Sequence, residues 1–381
     1  MVGSVRDHQN CVTVLTGHLG VLLHEESGSR DGKFLMEKRT HLQYIFTCIL
    51  GAAAIIFLVY VNFETKSMTW DASGYRRTPR PPPPRPSPSP PRPIEPLWED
   101  PGPYHVAYPR NYKFIMEDTP TCNNTSPFLV LMVPVAPANR KARDAIRKTW
   151  GSEKMVLDQL VETLFVVGLP GGADAGEQQE KLKQENLHHH DLIQSNFQDS
   201  YHNLTIKTMI ILEWLAVRCL KASYVMKIDS DMFLHVSNLV KLLLDPNTPK
   251  QNYMTGLVWW HSPVLRNPFS KFYMPRDVVA EEEYPPYPLG MSYVISYDLS
   301  VKILVVSSQI KPLYIEDVYL GMCLKRLGVS PTDPPEDTMF IVEPEHPLSD
   351  CSLSKVIAAT TTSSPLMVSY WQRSRHPEAK C

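Results

Sequence analysis

Tyr224-Val-Met-Lys-Ile-Asp-Ser-Asp-Met-Phe-Leu234 joins a strand to a pair of acids within one short stretch. Its first five residues are β-formers interrupted by Lys227 alone, a pattern that predicts a strand buried inside a mixed or parallel sheet. The run stops at two carboxylates, Asp229 and Asp231. Side chains alternate along an extended backbone, so acids at this spacing face one cavity at the carboxyl end of the strand. That edge is where open α/β sheets place ligands. Two hard anionic oxygens with no thiolate beside them suit Mn²⁺ or Mg²⁺, held together with a substrate's phosphates. An Asp-x-Asp tripeptide occurs by chance in a chain of this length. Its weight here comes from its place between an apolar strand and Met232-Phe233-Leu234.

Working outward toward the amino terminus, Phe128 to Val133, Leu164 to Gly168 and Asp191 to Ile193 are apolar runs of strand length. A helix is expected over Asn139 to Trp150 and another over Thr205 to Cys219, giving the β and α alternation of an α/β sandwich with a largely parallel sheet. The first helix carries Arg143 and Arg147 four residues apart and so on one face. Arginines beside a strand end can hold a pyrophosphate bidentately; a solvated basic face is the other reading. Asp199 to Thr205 places polar groups at a helix start, suited to capping or to anion binding.

Toward the carboxyl terminus, a helix at Ser237 to Leu244 and strands at Tyr253 to Val258 and Gly290 to Ser296 flank an aromatic, proline-rich loop from Trp259 to Pro288. Its aromatic rings either line a sugar site or anchor the loop to itself. Glu316-Asp317 opens an amphipathic helix running to Leu327, where an acid serves as a helix cap or as a general base.

The chain has 381 residues, a formal net charge of -2 and 43% hydrophobic residues, enough for a proper core and without the basic stripe of a nucleic-acid surface. Residues 1 to 43 read as a polar cytosolic tail. No charge interrupts Tyr44 to Phe63, long enough at about 1.5 Å per residue to cross a bilayer as a signal anchor. Charge flanking the span is nearly balanced. Sequons at Asn123, Asn124 and Asn203 favour a luminal carboxyl side. Eleven of the 35 prolines fall between Pro79 and Pro96, so residues 64 to 120 are expected as an extended stem and 121 to 381 as the folded domain. Five cysteines follow the span, which allows up to two disulfides of undetermined pairing.

Taken together, RDAIRKTWG from Arg143, HDLIQSNFQDSYHNLTIKT ending at Thr208, YVMKIDSDMF, FYMPRD from Phe272, YPPYPLGMSYVIS and IEDVYLGMCLKRLGV from Ile315 resemble the β-1,3-galactosyltransferases and their β-1,3-N-acetylglucosaminyltransferase and Fringe relatives (glycosyltransferase family 31). The match runs in family order over about residues 126 to 371. It implies a GT-A-like fold, a type II Golgi membrane protein, and inverting transfer of galactose from UDP-galactose to the 3-hydroxyl of an acceptor sugar on a glycoprotein or glycolipid. Asp229 and Asp231 would be the Asp-x-Asp pair with Mn²⁺ (or Mg²⁺), Arg143 and Arg147 would help hold the UDP, and Asp317 would be the base. Two departures stand out. The family's Cys-Ser-Gly-Thr-Gly-Tyr reads Pro288-Leu-Gly-Met-Ser-Tyr293, and Thr360 stands where relatives carry a metal-site histidine. Transfer of N-acetylglucosamine and a non-catalytic carbohydrate-binding protein are the alternative readings.

Overall fold

The computed structural model describes residues 100–122, 125–344 and 346–375. The expected tail, membrane span and most of the stem lie outside them, and no helix among the described residues is long and apolar enough to cross a membrane.

Alternation within single strands builds the two cores. In chain order the elements are β1 (Phe114–Met116), β2 (Leu129–Pro134), α1 (Arg140–Arg147), β3 (Met155–Val156), β4 (Gln159–Leu169), α2 (Ala175–His189), β5 (Leu192–Gln198), α3 (Leu204–Arg218), β6 (Tyr224–Ile228), β7 (Met232–Leu234), α4 (Val236–Leu244), β8 (Met254–Trp259), β9 (Tyr287–Ser296), α5 (Tyr297–Ser307), α6 (Glu316–Leu327), β10 (Phe340–Ile341), α7 (Asp350–Lys355), β11 (Ala358–Thr360) and α8 (Ser364–Ser374). Along β2, Leu129, Leu131 and Val133 face a core shared with α1, α4 and α8, whereas Val130 and Met132 face one shared with α3, α5 and α6. The result is a sheet covered by helices on both faces. Its strand order is β1-β5-β4-β2-β6-β9-β8, with β3 paired to β4 off that path. The four central strands, β5, β4, β2 and β6, run parallel; β1 and β9 run against them on the two sides, and β8, antiparallel to β9, returns to their direction at the edge. A smaller sheet, β10-β11-β7, continues from the end of β6.

The helix ends follow local chemistry. Asn139 caps α1 through its side-chain oxygen, and α6 ends at Gly328 in the left-handed region. Glu316 and Asp317 in its first turn and Lys325 and Arg326 in its last complement the helix dipole.

One expectation changes here, and one open choice divides between residues. The expected stem boundary at 120 falls too late: Val106 and Tyr108 are buried, Tyr108 Oη donates to Glu213 Oε1 at 2.7 Å, and β1 pairs with β5. Prolines dominate only the earlier part of that segment; the aromatic and aliphatic residues after Pro103 have apolar surface to bury. Between β8 and β9, Val264, Met274, Val279 and Tyr284 of the loop and Tyr287 at the start of β9 pack with Leu313, Ile315 and Val318 in a separate cluster. Tyr284 and Tyr287 therefore serve as anchors, while Trp259, Trp260, Phe269 and Phe272 stay exposed. A disulfide joins Cys122 to Cys219 at the end of α3, Cys351 is disulfide-bonded as well, and Cys323 is a buried free thiol.

Candidate active site

The site gathers around Lys227, in a strand whose five residues are all buried. A lysine there needs anionic partners to offset its desolvation. Its Nζ lies 2.7 Å from Asp229 Oδ1 and 4.0 Å from Glu316 Oε2, and it donates to the Gly290 carbonyl. Burial opposes the ammonium, but Asp229 and Glu316, joined by Asp317, outweigh it and raise its pKa. Strand β6 and the amino end of α6 are thereby tied together at the carboxyl edge of the parallel strands.

The two acids that open α6 take different places. Glu316 points inward, accepting hydrogen bonds from Thr208 Oγ1 and Tyr293 Oη, each at 2.9 Å. Burial pushes its carboxyl up to about 7, against the pull of Lys227 and with help from the charge of Asp317. Asp317 is only half-buried. Its Oδ2 accepts the Gly290 N–H at 3.0 Å and its Oδ1 the Val318 N–H at 2.9 Å. Burial raises its pKa although both amides oppose the shift. A carboxylate fixed by backbone donors, with a raised pKa, has the attributes of a general base.

Asp229 and Asp231 come together for a different reason than strand alternation. β6 stops at Ile228, and the Met232 N–H closes a turn on the Asp229 carbonyl at 3.2 Å. The Asp231 carbonyl accepts the Thr361 N–H at 2.8 Å and its hydroxyl at 2.7 Å, which pins the turn to β11. Partial desolvation and the neighbouring Asp229 raise the Asp231 pKa. Thr360 sits opposite Met232, beside this turn, and its hydroxyl reaches Met232 Sδ at 3.5 Å. Among the described residues no three His, Cys, Asp or Glu are grouped to hold a metal ion. Two hard carboxylates, one already engaged by Lys227, fit a cation that takes its remaining ligands from diphosphate and water.

Arg143 and Arg147 do not present themselves to a ligand. Arg143 is buried; its Nε and one terminal nitrogen each reach Glu185 at 2.7 Å, and its other bonds go to the carbonyls of Ala136 and Pro137. Arg147 is held by Asp191, Asp144 and Glu185 and lies over the Phe165 ring. The four-residue spacing does put them on one face, but that face is turned to Glu185 of α2 and to Asp191, just before β5. Arg143 thereby shapes the loop after β2. Lys207 completes the clamp, reaching the Val135 carbonyl at 2.9 Å while paired to Asp199 at 2.8 Å. Three successive carbonyls are thus held by buried cations.

Around the acids stands an aromatic rim. Tyr201 is exposed, and desolvation together with the charges of Asp317 and Asp229 raises its pKa. Lys271 Nζ lies 4.7 Å from the Phe272 ring centroid and 5.9 Å from that of Tyr201. Sequence reading passed over Lys227, Thr208, Gly290, Tyr293 and Tyr201 as site residues. The signal for Lys227 was the isolated charge in a buried strand.

The family model for galactosyltransferases matches residues 141–335, which include every acid just described. This chain belongs to the galactosyltransferase family. It is 37% identical over 280 residues to the beta-1,3-galactosyltransferase 2 of Homo sapiens and to that of Pongo abelii, covering 71% of this chain and 65% of each relative. It is 41% identical over 224 residues to the beta-1,3-galactosyltransferase 1 of Mus musculus, covering 58% of this chain and 68% of the relative. The chain therefore spans just under two thirds of the first of these relatives. Two solved structures share a slight likeness: the apo WbbM bifunctional glycosyltransferase, at TM-score 0.37 and 10% identity over 63% of this chain and 46% of that one, and a glycosyltransferase of the PBCV-1 major capsid glycosylation, at 0.35 and 9% over 66% and 99%.

Proposed function

We propose that this galactosyltransferase-family protein transfers galactose from UDP-galactose, with inversion, to the 3-hydroxyl of an acceptor sugar such as N-acetylglucosamine on a glycoprotein or glycolipid. The observation that carries the reading is the pairing of Asp317 with the Asp229–Asp231 turn across Lys227 and Gly290. A base and a diphosphate-binding turn on one edge match a single in-line displacement. Asp317 takes the proton of the acceptor 3-hydroxyl as that oxygen bonds to galactose C1, and the bond from C1 to the UDP oxygen breaks with its electron pair leaving on UDP. Asp231, with Asp229, would hold Mn²⁺ or Mg²⁺, which when bound neutralises charge on the diphosphate. The exposed faces of Tyr201 and Phe272 offer surfaces on which sugar C–H bonds pack. In keeping with this reading, the chain works from the lumenal side of the Golgi membrane, anchored through residues 44 to 63.

The test is to incubate the full chain with UDP-galactose, UDP-N-acetylglucosamine and UDP-N-acetylgalactosamine in turn, with N-acetylglucosamine-terminated acceptors and Mn²⁺, and to assign the product linkage by NMR. A β-1,3-linked galactose product is expected. Exclusive use of UDP-N-acetylglucosamine replaces the donor assignment; binding of acceptor without any turnover replaces the enzyme with a carbohydrate-binding protein.

A further inference from the structure

Lys227 touches more of the site than either acid of the expected Asp-x-Asp pair. It is paired to Asp229 Oδ1 at 2.7 Å, lies 4.0 Å from Glu316 Oε2 and donates to the Gly290 carbonyl. Gly290 in turn gives its N–H to Asp317 Oδ2 at 3.0 Å. One buried side chain therefore reaches the acid at the strand end, the inward acid of α6 and the residue that holds the outward acid. The antiparallel register sets Lys227 opposite Tyr293, and Tyr293 donates to Glu316, so β9 closes the same circuit from its other side.

From this arrangement we infer that Lys227 is a positioning residue for the transfer reaction, fixing Gly290 and through it Asp317 relative to the Asp229–Asp231 turn, while occupying Asp229 Oδ1 so that a divalent cation is left chiefly to Asp231. The inference rests on the transferase reading. It separates two quantities that simple loss of structure moves together. Removing the ammonium frees an oxygen of Asp229 and makes the turn more anionic, so divalent cations bind more tightly; it also releases Gly290, so Asp317 loses its set position and turnover falls.

Two variants test this on the full chain solubilised in detergent, with circular dichroism as the check on folding. Lys227→Met removes the charge and leaves buried acids without their partner, which can prevent folding. Lys227→Met with Glu316→Gln removes one positive and one negative charge together and keeps the buried balance. Mn²⁺ binding is read by electron paramagnetic resonance without donor, and kcat and KM are read with UDP-galactose. The folded double variant is expected to bind Mn²⁺ about threefold or more tighter than the native chain. Its kcat should fall about 10²-fold while both KM values stay within about threefold. Lys227→Arg, which keeps the charge, should hold Mn²⁺ affinity near the native value. Unchanged or weaker Mn²⁺ binding in the double variant overturns the inference, as does a kcat within about threefold of native. If the native chain transfers no galactose, the transferase reading fails, while the Mn²⁺ comparison still decides whether Lys227 competes for Asp229.

Discussion

Gly290 gives its N–H to Asp317 Oδ2 at 3.0 Å, and a Cβ at Gly290 would stand 2.7 Å from Glu316 Oε2 and 3.4 Å from Asp317 Oδ2. Absence of a side chain is thus what lets β9 approach both acids. Glu316 cannot simply swing aside, because Thr208 and Tyr293 hold its carboxyl. Gly290→Ala should leave the domain folded and lower kcat by about 10²-fold through displacement of the acids. A variant with native kcat would show that the close approach has no part in turnover.

Asp317 and Glu316 should separate cleanly by substitution. Asp317→Asn is nearly isosteric, keeps one of the two backbone bonds from Gly290 and Val318 through its single carbonyl oxygen, and cannot take a proton. A loss of about 10²–10⁴ in kcat with UDP affinity nearly unchanged is expected. Glu316→Gln should lose less, since its contacts are to Thr208, Tyr293 and Lys227. Because the Asp317 pKa is raised, activity should disappear with falling pH already above the ordinary aspartate range. Equal losses for the two substitutions would remove the assignment of the base.

Glu316 also predicts how stability depends on pH. Its folded-state pKa of about 7 is raised above the unfolded value. The folded state therefore retains a proton that the unfolded chain releases, so this contribution is fully present below about pH 4.3 and is lost as pH rises through the folded value. The swing is about 3 kcal/mol. Urea unfolding in chelator at pH 5 and pH 8 should show the native chain losing about that much more than Glu316→Gln. Identical pH dependence in the two would mean that Glu316 is ionised throughout.

How far the sequence carried this picture varies by residue. The strands at 129 and 224, helix α6 and the place of Asp229 and Asp231 at a strand end were legible, because apolar runs and acids at their ends are local signals, whereas the role of Asp317 beside them came only with the family resemblance. The partners of Arg143 and Lys227 were not. Glu185 lies 42 residues from Arg143 and Gly290 lies 63 from Lys227, and spacing along a chain says nothing of which acid a buried cation meets in the fold. The cradle at Gly290 needed the antiparallel register of β9 on β6, which periodicity alone leaves open. Aromatic content in the loop after β8 was equally ambiguous, since a ring reads the same in sequence whether it packs on Leu313 or faces a ligand.

Of the three sequon asparagines, Asn123 and Asn124 lie outside the described residues. Asn203 is half-buried, its amide nitrogen donates to the Gln198 carbonyl at 2.9 Å, and the Thr205 hydroxyl of its sequon is buried on the Leu313 carbonyl at 2.7 Å. That placement argues against the glycan expected there. Replacing both Asn123 and Asn124 with Gln should abolish the glycosidase-sensitive mobility shift of the expressed chain, and Asn203→Gln should leave it unchanged. A shift lost with Asn203→Gln alone would reverse the assignment.

Arg143 offers the sharpest contrast between the family expectation and the fold. A residue that binds UDP directly and one that shapes the loop from inside respond differently to truncation. Arg143 is 1% exposed, and its guanidinium is divided between Glu185 and the carbonyls of Ala136 and Pro137. Arg143→Met should therefore destabilise the domain by about 3–5 kcal/mol, because it removes one partner of a buried ion pair. Arg147 still reaches Glu185 at 2.7 Å and keeps the loss toward the lower end. Adding Glu185→Leu, which removes the acid left with Arg147 alone, should recover part of that stability, Arg147 keeping Asp191 and Asp144. Calorimetry of the folded double variant should find UDP affinity reduced only as far as the freed loop allows, by about tenfold or less. Unchanged unfolding free energy in Arg143→Met together with lost UDP binding would instead make Arg143 a direct ligand.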